Sequence, residues 1–250
     1  MPRLLCNAQN VSISQDAVAP YANVVGATKS SEAPLFFPHA LFGSAHLLII
    51  GHDRFPLPAV GLLHIRNQVT CHQPLRFDHS WNMRCWLSRQ RNVEKGLEFD
   101  FDSTVSIENE VVWQSVSTYL KRGKPQGEVE VVDSGFAAMD DGEILETEFQ
   151  VPGDIGKQYA KVTGDFNPIH VSRLGARLFG FPRPIAHGMW SVAKTFELIE
   201  HTGFPIEHTA IFKGPMFVGS TAKLVSSKDG RFDVMCGRNP RPVIVGKCHT

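Results

Sequence analysis

The sequence predicts an α+β protein in which one structural unit is used twice. Three observations carry this. Each half holds one apolar helix pattern followed by several strand-like runs. A Phe-Pro pair follows each helix, at Phe55-Pro56 and Phe204-Pro205. Between the halves lies the polar segment Gly123-Lys124-Pro125-Gln126-Gly127, whose two glycines and proline interrupt any regular element. The boundary divides the 250 residues into domains at 1–123 and 124–250, within the usual size range.

Taken in order, Pro38-His39-Ala40-Leu41 opens the first apolar helix, which Gly51 can end. The periodicity then changes toward strands at 61–69, 81–87, 97–107 and 111–120. An acidic, loop-like stretch follows at 134–143. In the second half, Pro184 leads into Ile185-Ala186-His187-Gly188-Met189 and then a helix. Met189, Val192, Ala193, Phe196 and Ile199 fall on one face of it, and Thr202-Gly203 with Phe204-Pro205 are expected to stop it. Strands are expected at 209–212, 222–226, 232–237 and 243–248. Lys228-Asp229-Gly230 makes a tight turn between two of these.

Composition excludes several classes. Lys plus Arg and Asp plus Glu number 25 each, so no basic footprint points to nucleic acid or an anionic membrane. The most apolar run, Ala40 to Ile50, is broken by His46 and is far shorter than the roughly 20 residues of a membrane span. The N-terminus lacks the apolar core of a secretory signal. Cys6, Cys71, Cys85, Cys236 and Cys248 are dispersed and odd in number, which reads as reduced thiols in a cytoplasmic protein. With no CxxC pair, and with His46 and His52 lacking a partner motif, no metal site is expected.

The chemistry concentrates in Gly164-Asp165-Phe166-Asn167-Pro168-Ile169-His170. Gly164 permits a turn, Asn167 is an N-cap, and Pro168 occupies the first helical position. Asp165 then precedes a short helix whose first turn holds His170, and the two side chains can share one pocket as an acid–base pair. Gly188 opens the second amphipathic helix, where backbone N–H groups have no intrahelical acceptor and the dipole favours negative charge. A ligand oxygen could approach there. Asp165 and Asn167 could equally serve only a capped turn, and Gly188 only tight packing. His187 reads as a structural group that satisfies buried backbone, and His39 and His64 as structural for want of a carboxylate at motif spacing.

These residues resemble the MaoC-like, or hydratase 2, family, whose hallmark Gly-Asp-x-Asn-Pro-hydrophobic-His is followed by Gly-Phe and Pro-Ile-Ala-His-Gly-Met. The matching positions are Gly164 to His170 and Gly180 to Met189. The likeness is closest to two-repeat members, whose first half has lost the catalytic motif. It implies a double hot-dog fold, each half a curved antiparallel sheet around a central helix. It also implies hydration of trans-2-enoyl thioesters, or dehydration of (R)-3-hydroxyacyl thioesters, carried on coenzyme A or acyl carrier protein. By position, Asp165 and His170 activate water, Asn167 orients the site, and the Gly188 N–H polarises the thioester carbonyl. No cofactor is implied beyond the thioester carrier. Arg173, Arg183 and Lys213 are candidates for contacting a cofactor phosphate. The first half completes the fold and helps enclose the acyl chain, and assembly as a homodimer stays open. A hot-dog acyl thioesterase and a non-catalytic acyl-thioester-binding subunit are the competing readings.

Overall fold

The computed structural model describes residues 4–28, 31–132, 136, 139 and 144–250. The first half runs β1 (Leu5–Ser12), α1 (Gln15–Val25), α2 (Phe37–Ile50), β2 (Leu62–Cys71), β3 (Ser80–Val93), β4 (Gly96–Ile107) and β5 (Glu110–Arg122). The second runs β6 (Ile144–Gln150), α3 (Ile155–Thr163), α4 (Pro168–Val171), α5 (Arg173–Leu178), α6 (Gly188–Phe196), β7 (Ile206–Phe212), β8 (Thr221–Ser227), β9 (Arg231–Cys236) and β10 (Ile244–His249). Most of the expected loop at 134–143 lies outside the described residues.

All ten strands join one antiparallel sheet in the order β1-β3-β4-β5-β2-β7-β10-β9-β8-β6. The order discloses the duplication. Counting within each half, the strands lie first, third, fourth, fifth, second in one half, and in mirrored order in the other. The second strand of each half meets its counterpart at the centre, where β2 pairs with β7 from Arg66↔Ile211 to Cys71↔Ile206. Each half ends in a meander of short hairpins, as alternating apolar runs separated by turn residues dictate. The Lys228-Asp229-Gly230 turn is one of them, with Gly230 at φ 83° and its N–H donating to Ser227 O at 3.0 Å. That left-handed backbone is why glycine sits there.

Two apolar helices supply the core. The α2 helix lies against β3 and β4, burying Phe37, Ala40, Phe42 and Ile49. The α6 helix buries Met189, Trp190, Val192, Ala193 and Phe196. It ends at Phe196, a turn earlier than its apolar spacing predicts. Leu198 and Ile199 instead donate to Thr195 and Phe196 in tighter i→i+3 bonds, so Gly203 is not the cap. The α1 helix ties the halves together, because the Trp190 indole N–H donates to Val24 O at 2.9 Å. Phe99, Phe101 and Phe232 are fully buried, and each burial contributes about 1.5–3 kcal/mol.

Candidate active site

The site is built where α3 hands over to α4. Gly164 caps α3 in the left-handed conformation (φ 79°), its N–H donating to Ala160 O at 2.8 Å. That turn reverses the chain and delivers Asp165 to the surface of the second half. Asp165 Oδ1 accepts from the Asn167 N–H at 3.1 Å, and Asn167 Oδ1 accepts from the Ile169 N–H at 3.3 Å. Two consecutive side-chain caps therefore fix the path into α4. Tight packing then locates α4 itself. A Cβ at Gly156 of α3 would collide with the His170 carbonyl, and a Cβ at Gly175 of α5 would lie 2.6 Å from Pro168. Both neighbours approach closely because these residues have no side chain.

His170 is held by a hydrogen bond from Nδ1–H to Ile185 O at 2.9 Å. A carbonyl only accepts, so Nδ1 carries the proton in the neutral ring and Nε2 is the free basic nitrogen. Burial lowers the His170 pKa, while the Ile185 carbonyl and the Asp165 charge oppose that shift. At neutral pH the ring is a neutral base. The Asp165 carboxylate and both neighbouring imidazoles, His170 and His187, have one ligating atom each within 4.8 Å of the others. Asp165 is 48 % exposed, so a substrate can reach it.

His187 is the third member of this cluster. Its Nε2–H donates to the Asp165 backbone carbonyl at 2.9 Å and lies 3.6 Å from Asp165 Oδ2. Its ring stacks on His170 with centroids 3.8 Å apart, and Tyr159 of α3 closes over it at 5.0 Å. Burial, with the His170 ring next, drives its pKa down to about 4. It is a neutral wedge in contact with both Asp165 and His170. The sequence reading had it satisfying buried backbone, and the backbone it satisfies is that of Asp165. Its contact with His170 was not legible, because the two residues are joined only through the fold. Three donors at this spacing could also hold a divalent ion. One nitrogen of each imidazole, His170 Nδ1 and His187 Nε2, is already bonded to a backbone carbonyl.

Gly188 follows directly as the first residue of α6, where its N–H has no partner within the helix. A Cβ here would lie 2.9–3.3 Å from the Phe212 ring of β7. Packing against Phe212 therefore favours a residue without a side chain at this position. Arg173 and Lys213 are exposed, whereas Arg183 donates to Ser220 Oγ at 2.8 Å and lies over the Phe217 ring at 5.4 Å. In the first half, His39, His46, His64 and Tyr119 form an aromatic cluster in which His64 stacks on His39 and Tyr119 while His46 meets His39 edge-on. His64 also lies 5.2 Å from the Phe212 ring that packs against Gly188, which links this cluster to the start of α6.

The fold defines a double hot-dog protein that gathers Asp165, His170 and His187 in its second half. The MaoC like domain family matches residues 145–246. Over 241 residues the chain is 33 % identical to 3-hydroxyacyl-thioester dehydratase X of Mycobacterium tuberculosis, covering 94 % of this chain and 84 % of that protein. The crystal structure of HtdX from the same organism superposes with a TM-score of 0.79 at 28 % identity, covering 98 % of this chain and 99 % of the other. A further M. tuberculosis protein described as a double hot dog matches at TM-score 0.62 and 11 % identity, over 98 % and 94 % of the two chains, a likeness of fold alone. The chain belongs to the MaoC-like dehydratase family. All five cysteines are free thiols, and no described helix is long and apolar enough to cross a membrane.

Proposed function

We propose that the chain adds water reversibly to trans-2-enoyl thioesters, giving (R)-3-hydroxyacyl thioesters, with Asp165 and His170 as the catalytic pair. The observation that carries this reading is the tautomer of His170. Its Nδ1–H is committed to Ile185 O, which leaves Nε2 bare on a ring that has a nitrogen within 4.8 Å of the accessible Asp165 carboxylate. Such a pair can hold one water between base and carboxylate.

In the hydration direction, His170 Nε2 takes a proton from water as its oxygen bonds to Cβ. The Cα=Cβ π pair moves into the thioester and forms an enolate, whose oxygen accepts from the Gly188 N–H at the positive end of α6. The enolate then collapses as the pair returns a proton to Cα. Atoms balance with water as the only co-reactant, so the step draws on no cofactor. Positioned proton transfer contributes about 10²–10⁴-fold, and one oxyanion donor about 10²–10³ more. Asn167 acts through the α4 cap rather than on substrate, and the exposure of Arg173 and Lys213 supports reading them as contacts for a carrier phosphate. The free thiols fit a reducing, cytoplasmic setting.

The test is to follow loss of conjugated-thioester absorbance with trans-2-enoyl-CoA while assaying free thiol. Hydration consumes the conjugation and releases no thiol. Stoichiometric thiol release would replace this reading with a thioesterase, and binding without turnover would replace it with a carrier-binding subunit.

A further inference from the structure

The α5 helix presents an unusual surface beside the site. Gly175 and Ala176 face inward, and the close approach of Gly175 to Pro168 clamps α5 onto α4. The opposite face is left to solvent. Leu174 is 70 % exposed, Leu178 78 % and Phe179 50 %, and Phe166, next to Asp165, is 61 % exposed. Single exposed leucines are ordinary, but three large apolar side chains on one short helix and its C-cap mark a contact surface. Arg173 and Arg177 rise from the same face, and neither forms an ion pair among the described residues. No acidic residue occurs between Asp165 and Glu197, although the whole chain is electrically neutral. The face therefore combines exposed apolar side chains with two arginines, and its helix begins at Arg173, three residues from His170.

We infer that this face docks an acidic, helical acyl-carrier protein, so that carrier-borne enoyl thioesters are the substrates of the site; the inference rests on the hydratase reading above. Charge complementarity selects the occupant. An acidic helix places carboxylates against Arg173 and Arg177 and its own apolar residues against Leu174, Leu178 and Phe179. A second copy of this chain docking by the same face would set its arginines against these arginines across a two-fold axis. Free coenzyme A supplies phosphates for the arginines but nothing to cover the apolar side chains. Because α5 is clamped to α4, a carrier seated here delivers its thioester arm beside Asp165 and His170.

The test compares one trans-2-enoyl chain on acyl carrier protein and on coenzyme A, using the wild type, Arg177→Glu and Leu178→Asp. The wild type is expected to favour the carrier-borne ester in kcat/KM by about tenfold or more, and added salt should erode that preference. Each variant should lose about tenfold on the carrier ester through KM, while its kcat/KM on the coenzyme A ester stays within about twofold. That second substrate also shows that the variants fold. Equal loss on both esters, or no carrier preference in the wild type, overturns the docking surface and leaves the hydratase reading standing. Failure of the wild type on both esters overturns the hydratase reading itself. A dimer that Leu178→Asp converts to monomers in sedimentation would reassign the face to self-association.

Discussion

Gly156 touches no substrate in this account, yet its replacement by alanine should cripple the site. An alanine Cβ at 156 would strike the His170 carbonyl oxygen and stand 2.8 Å from the carbonyl carbon. Ordinary contact begins near 3.4 Å, so even the carbon is about 0.6 Å too close and the oxygen needs more. Both partners are backbone, so no side-chain rotation relieves the clash. Either α3 and α4 separate or His170 shifts, and in both cases the imidazole moves relative to Asp165. Overpacking of this kind costs about 1–3 kcal/mol of stability. Misplacement of a catalytic group by about 1 Å costs about 10²-fold in rate, equivalent to about 2.7 kcal/mol of barrier. The assay is steady-state hydration of a trans-2-enoyl thioester, with near-ultraviolet circular dichroism to show a folded chain. The expected result is a fall in kcat of about 10–10²-fold with a smaller change in KM. A folded Gly156→Ala protein with wild-type kcat would refute the claim that α3 packing positions His170.

Three further outcomes follow from the same geometry. Asp165→Asn and His170→Gln should each lower kcat by at least about 10²-fold while leaving the melting temperature within a few degrees, as thermal denaturation would show. The kcat/KM profile should be flat near neutrality and fall on an acid limb whose midpoint lies below 6.5, because buried His170 must be neutral to act as base. An acid limb above pH 7 would contradict this. Stability should also drop in mild acid. His187 and His39 have pKa values lowered to about 4, and His208 to about 3. The unfolded chain binds protons on these groups below about 6.5 while the folded chain does not. Stability is therefore complete above that pH and declines between 6.5 and about 4, by up to about 1.4 kcal/mol per pH unit for each group. Urea midpoints measured across pH 4–7 would show the slope, and a flat series would contradict it.

The elements legible in the sequence were those with one buried face. The β4 strand alternates apolar and polar residues from Leu97 to Asp102, and α2 is apolar enough to announce itself. The strands that escaped detection, β1 and β6, are the two edges of the sheet. Nearly all their side chains are exposed, so no period-2 pattern marks them. The α1 helix carried a usable signal that went unread. Ser14 accepts from the Ala17 N–H as N-cap and Gly26 closes the helix in the left-handed conformation, but Pro20 in its interior argues against a helix. The β2–β7 junction was beyond reach because both strands read alike and nothing local says which edges meet. At the site, the Asp165-to-His170 turn was written in consecutive residues. The stacking of His187 on His170 depends on α6 arriving from elsewhere in the chain, and so appeared only in three dimensions.

The most direct test of the account is to run the reaction in ¹⁸O-labelled water with a trans-2-enoyl thioester and analyse the products by chiral separation and mass spectrometry. The account predicts one labelled oxygen at C3 of an intact thioester, only the (R) enantiomer, and loss of the reaction in Asp165→Asn. Label in a free carboxylic acid, a racemic 3-hydroxy product, or undiminished labelling in the Asp165 variant would contradict it.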